Sequence, residues 1–114
     1  MIHLSLIIST SPAQGHQGPE AFDLAMAGAV FDWQIAVFFV GDGLIHCLQG
    51  TFDQIDLSKR WRSSALFGVD QLYRLARQDW PNTALPSSMA ERLTAISEQD
   101  MQAILVDSRR VIVL

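Results

Sequence analysis

Cys47 is the single cysteine of the chain and it follows directly on His46. A thiolate there could attack an electrophile, carry sulfur or help to hold a metal, and an imidazolium nearby would favour it. Neighbouring residues in a chain often point apart, and the setting Leu44-Ile45-His46-Cys47-Leu48 suits a small buried hydrophobe better than a nucleophile. The metal role has no spacing to support it. There is no second cysteine, and His3, His16 and His46 do not show the intervals of structural zinc sites.

Other residue types point to binding rather than bond-making. Ser9-Thr10-Ser11-Pro12-Ala13-Gln14-Gly15 offers hydroxyls and backbone amides ahead of a helix start, the outline of a phosphate or flavin cradle. It lacks the lysine and spacing of a P-loop, Glu20 nearby would repel a phosphate, and ordinary turn chemistry accounts for the same residues. Asp42 between Gly41 and Gly43 is first a turn former, although it could serve as a carboxylate. Lys59, Arg60 and Arg62 around Trp61 could touch RNA or an acidic surface, or form a solvated helix face. No Ser/His/Asp order and no acid/base pair is readable.

These residues must be positioned by an alternation of strands and helices. Ile2 to Ser9 is apolar on both parities, which suits a strand covered on both faces. Pro19 and Glu20 open a helix that runs to about Phe31. Its expected core stripe is Phe22, Met26, Ala29 and Val30, but Leu24, Ala25, Ala27 and Gly28 leave almost no polar face opposite. A helix apolar nearly all round requires cover on two sides, and in so small a chain the second cover is expected to be another subunit. Gln34 to Val40, stopped by Gly41-Asp42-Gly43, reads as the central strand.

Beyond a short helix or turn at Leu44 to Leu48, Ser58 is expected to cap a helix closed by Gly68, with Trp61 and Ala65 inward. Asp70 to Ala76 follows as a strand made more polar by Arg74. Ser88 with Glu91, then Ser97 with Asp100, repeat a capping-box signal, so two successive short helices are expected, the first carrying Met89, Leu93 and Ile96. Arg109 to Leu114 closes as an apolar strand. The sum is an α/β chain, a three-layer α/β/α sandwich with a parallel sheet of about five strands in the flavodoxin-like manner. The loops after the first two strands then share one edge of the sheet, where open α/β folds place their sites.

Totals narrow the function classes. With 114 residues, 49% of them hydrophobic, the expectation is one domain spanning 1–114. A net charge of −4 lacks the footprint of a stand-alone nucleic-acid binder, so no direct nucleic acid is expected. One cysteine, no signal-like N-terminus, and Asp23, Asp32 and Asp42 breaking the most apolar stretch lead to the expectation of a cytoplasmic chain without a membrane partner.

Ser9-Thr10-Ser11-Pro12, Gly15, Gly18, Glu20 and Asp23, then Ala36-Val37-Phe38-Phe39-Val40 with Asp42-Gly43, and the closing Arg110-Val111-Ile112-Val113-Leu114 resemble the DsrE/DsrF-like family, and within it the TusC/DsrF branch. The likeness is dense over the first fifty residues or so and returns at the last strand. It implies the same parallel sandwich. It also implies a subunit that assembles with B-like and D-like partners in a TusBCD/DsrEFH-type hetero-oligomer, a dimer of heterotrimers. Such a complex passes persulfide from a TusA-like donor to a TusE-like acceptor for 2-thiouridine at the tRNA wobble position, or serves sulfur oxidation in the Dsr system.

The family's sulfur-carrying cysteine belongs to the sister subunit, at the end of the strand that here is Asp70 to Ala76. This chain has Leu75 at or next to that position, and a leucine carries no persulfide. The resemblance thus implies a non-catalytic, assembling role without cofactor or metal. The alternatives are a thiol-based sulfur carrier using Cys47, and a phosphate- or flavin-binding domain using Ser9 to Gly18.

Overall fold

β2 (Ile35–Phe39) is buried at all five of its positions, as a run of β-branched, aromatic and small side chains with no polar member requires. It lies third in a five-stranded parallel sheet of order β4-β3-β2-β1-β5, flanked by β1 (Ile2–Ile8) and β3 (Gln71–Leu75). β4 (Leu93–Ile96) and β5 (Ser108–Val113) form the two edges. The helices are α1 (Gln17–Val30), α2 (Leu57–Ser63), α3 (Ser87–Ala90) and α4 (Glu98–Val106), with 3-10 segments at Gly41–Cys47 and Ser64–Phe67. This computed structural model describes residues 1–10, 17–47, 57–69, 71–76 and 87–114.

The direction in which the chain crosses the sheet explains how its helices are distributed. The first three crossovers step one way, from β1 through β2 and β3 to β4, and the fourth steps back past β1 to β5. Parallel crossovers are right-handed, so a reversal of direction moves the connecting helix to the opposite face. Ala21 and Ala25 of α1, Trp61 of α2 and Met89 of α3 accordingly pack with Leu6, Val37 and Leu72 on one face. Met101, Ile104 and Leu105 of α4 pack with Phe38, Tyr73 and Ile96 on the other. Burial of a side chain of the size of Phe38 or Phe39 contributes roughly 1.5–3 kcal/mol, so the central strand anchors both layers. The single helix α4 does not reach across its whole face, and Val111 and Val113 of β5 stay 43% and 64% exposed.

Two sequence expectations are corrected here. Residues 93–96 are strand β4 rather than the second half of a helix, so α3 and α4 do not follow each other directly. Leu93 and Ile96, three apart, share a helix face but take opposite faces of a strand. Leu93 pairs with Leu72 toward one core and Ile96 with Leu75 toward the other, and both are buried. Because both faces of the sheet needed filling, the spacing served either structure. Ser88 thus lies inside the short α3 and Ser58 in the first turn of α2, neither as an opening cap. Ser97 does cap α4, its side chain accepting from the Asp100 amide. Gly68, at φ 93°, closes the helical stretch ahead of β3 as expected. Among the described residues no helix is long and apolar enough to cross a membrane.

Candidate functional site

The carboxyl ends of β1 and β2 meet as the sequence suggested. Ile8 pairs with Phe39, and the Val40 amide donates to the Ile8 carbonyl at 3.0 Å. The 3-10 segment starting at Gly41 crosses this edge so closely that a Cβ on Gly43 would stand 1.8 Å from the Ile8 carbonyl oxygen. Only glycine allows that approach. It brings His46 and Cys47 inward under the edge, where both are buried.

There the two side chains part. His46 Nε2 donates to the Thr10 carbonyl at 2.9 Å, which fixes the tautomer and holds the start of the loop after β1. Its Nδ1 is buried without a partner among the described residues, and burial lowers the imidazole pKa, partly offset by the Thr10 bond. Cys47 joins the apolar cluster with Leu44 and Trp61, fully buried, and desolvation pushes its thiol well above the ordinary range. A thiol in that setting is a packing group and a poor nucleophile at neutral pH.

Among the described residues the other strand ends offer no matching reactive group. Ser9 donates both its amide and its hydroxyl to the Leu114 carbonyl, at 2.8 and 3.0 Å. Residues 11–16 of the expected phosphate cradle, His16 among them, lie outside the described residues. Asp42 is exposed in the first turn of its segment. Among the described residues no three His, Cys, Asp or Glu side chains converge as a metal site would require.

At the end of β3, Leu75 is half-buried and lines a cavity of about 390 Å³ with Ala76, Ile96, Ser97, Glu98 and Gln99. Here the strand-end site has a shape but presents hydrocarbon, a capping serine and a carboxylate, with no thiol. In the basic cluster Lys59 is exposed while Arg60 and Arg62 are half-buried. Trp61 is buried edge-on between Phe22 and Phe39, and the Arg60 guanidinium lies 5.7 Å from the centre of the Phe22 ring.

Of the expected stripe on the helix between the two loops, Phe22, Met26 and Ala29 pack half-buried against the core and Val30 is exposed. α1 turns its small residues Ala21, Ala25 and Gly28 onto the sheet, where a Cβ on Gly28 would meet Ile35 Cδ1 at 2.7 Å. Phe22, Met26, Ala29 and Val30 line, with Phe67, an apolar groove of about 420 Å³. Val30 is 80% exposed and Phe67 62% exposed, with Leu66 and Phe31 exposed beside them. Residue spacing could not reveal Phe67's part, because the closing turn before Gly68 carries it back against α1.

A family model described as the DsrE/DsrF-like family matches residues 4–109. The chain belongs to the DsrE/DsrF-like family. Within it, this chain is 30% identical over 115 residues to a Pseudomonas aeruginosa protein named Protein TusC homolog, with 97% of each chain covered. Among solved structures, the ychN protein from E. coli superposes with a TM-score of 0.74 over the full length of both chains at 9% identity. That likeness concerns the fold alone, and the shared α/β sandwich agrees with it. In this DsrE/DsrF-like chain the carboxyl ends of β1 and β2 carry the close crossing at Gly43, and the end of β3 carries the cavity at Leu75. The groove on α1 is an apolar surface among the described residues.

Proposed function

We propose that this chain is a non-catalytic, assembling subunit of a sulfur-relay complex of the TusBCD/DsrEFH type. It would support persulfide transfer toward 2-thiouridine at the tRNA wobble position. The observation that carries the assembling role is the groove of Phe22, Met26, Ala29, Val30 and Phe67, an apolar surface continuous with exposed Leu66 and Phe31. Contiguous patches of this kind on small proteins mark sites of protein contact. The non-catalytic part is supported by Leu75 at the strand end where the family resemblance expects the carrier, and by the burial of Cys47. The TusC homolog aligned along nearly the whole chain favours the same reading.

In this reading the chain holds B-like and D-like subunits in place and leaves sulfur chemistry to a sister subunit, with TusA- and TusE-like carriers reaching the complex from outside. Co-expression with B-like and D-like subunits from the same genome, followed by size-exclusion chromatography, tests it. A single peak containing all three chains is expected. Elution of this chain only as a monomer or homo-oligomer would refute the proposal.

A further inference from the structure

The opposite, amino-terminal edge of the sheet carries a second feature that the assembling role does not use. The register pairs Ile2 with Ser108 and Leu4 with Arg110, which sets Arg109 beside His3. His3, Trp33, Arg109 and Arg110 together line a cavity of about 230 Å³. Its aromatic wall is built rather than incidental. The Gln34 amide donates to His3 Nδ1 at 2.9 Å, which leaves the neutral imidazole its Nε2–H as donor. The His3 and Trp33 rings lie within 12° of parallel at 6.3 Å between centroids, and Trp33 keeps 41% of its surface open.

The charge in this cavity is left available. Neither Arg109 nor Arg110 forms an ion pair among the described residues, while the nearby Asp107 faces the Met1 amino group at 3.9 Å. Guanidinium groups bind carboxylate and phosphate through paired N–H donors, and an indole offers a face to a planar ring. The volume falls below the ~300–1,000 Å³ of sites for drug-sized ligands, so a single ring with its charged group is the matching size.

We propose that this cavity binds a planar ring carrying an anionic group, the ring against Trp33 and His3 and the anion on Arg109 and Arg110. A phosphorylated pyrimidine nucleoside and an aromatic carboxylate share that chemistry, and a titration distinguishes them. The full-length 15N-labelled chain is titrated at low ionic strength with uridine 5′-monophosphate and with benzoate, with inorganic phosphate and uridine as references. The readouts are the Gln34 backbone amide and the Trp33 indole N–H, the latter assigned by its loss in Trp33→Ala.

Saturable shifts at both resonances are expected with at least one of the two probes, and the responding probe names the source of the anion. Binding should be at least tenfold tighter than for inorganic phosphate or uridine. It should weaken at least tenfold in Arg109→Gln/Arg110→Gln, whose remaining spectrum stays unchanged because both side chains are exposed on an edge strand. Trp33→Ala should bring the nucleotide down to the affinity of phosphate. Absence of saturable shifts with both probes, or equal affinity in the double arginine variant, would overturn the proposal.

Discussion

Gly43 and Ile8 are in contact through backbone alone, with room for a Cβ on Gly43 only at 1.8 Å from the Ile8 carbonyl oxygen. That carbonyl is already fixed by the Val40 amide at 3.0 Å, so it cannot swing aside without loosening the β1–β2 edge. Gly43→Ala should therefore destabilise the fold by about 3 kcal/mol, at the upper end of the usual cost of overpacking a core. A urea titration followed by circular dichroism would measure this as a lower midpoint with an unchanged slope. An unaltered midpoint would mean that the 3-10 segment shifts freely.

His46 provides a pH test of the same edge. Burial lowers its pKa in the folded chain below the ordinary 6.5, so the unfolded chain binds the proton more readily. Its contribution to stability is complete above pH 6.5 and declines as the pH falls below 6.5 toward the lowered folded value. Thermal unfolding between pH 7.5 and 5.5 should show this decline. His46→Gln, whose side-chain amide can still donate to Thr10, should flatten it across that interval. The same slope in both proteins would place the titrating group elsewhere.

Cys47 should behave as a core residue. In the native protein it should react with iodoacetamide only as fast as the chain opens, whereas in guanidinium chloride it should react at the rate of a free thiol. Cys47→Ser places a hydroxyl in an apolar cluster and should cost about 1–3 kcal/mol. Incubation with a persulfidated donor should add no sulfur to Cys47 by mass spectrometry. A gain of one sulfur on the folded chain would revive the carrier reading.

Leu75 gives the complementary experiment. A thiol placed at this half-buried position opens onto the cavity at the end of β3, in contrast to the enclosed Cys47. In Leu75→Cys/Cys47→Ala the single thiol should be alkylated at least tenfold faster than Cys47 in the unaltered chain, because exposure controls access to the reagent. Equal rates would show that the strand end is covered.

Much of this architecture was legible in residue patterns, and the failures have identifiable causes. β1 and β2 announced themselves because apolar runs ended ahead of Pro12 and at Gly41, β3 and β5 remained readable as shorter apolar stretches beside Arg74 and Arg110, and Ser97 with Asp100 named the start of α4. β4 was hidden because Leu93 and Ile96 satisfy a helical period while filling opposite faces of the sheet. In α1 two stripes compete. Ala21, Ala25 and Gly28 form one as regular as that of Phe22, Met26 and Ala29, and close packing against Ile35 buries the smaller residues fully and leaves the others half-buried. The burial of Cys47 agrees with its apolar run from Leu44 to Leu48, while the crossing at Gly43 that encloses it is a long-range contact that local patterns do not encode.

The exposed end of the groove on α1 makes the assembling role directly testable through Val30 and Phe67. Both are exposed in the groove, so Val30→Asp/Phe67→Asp should leave the isolated fold intact, with surface substitutions away from the core usually within about 0.5 kcal/mol. The decisive measurement is size-exclusion chromatography with light scattering on the unaltered and doubly substituted chains, each co-expressed with B-like and D-like subunits. The unaltered chain should elute in the hetero-oligomer, and the variant should elute alone with unchanged circular dichroism and melting temperature. Retention of the variant in the complex at full stoichiometry would contradict it.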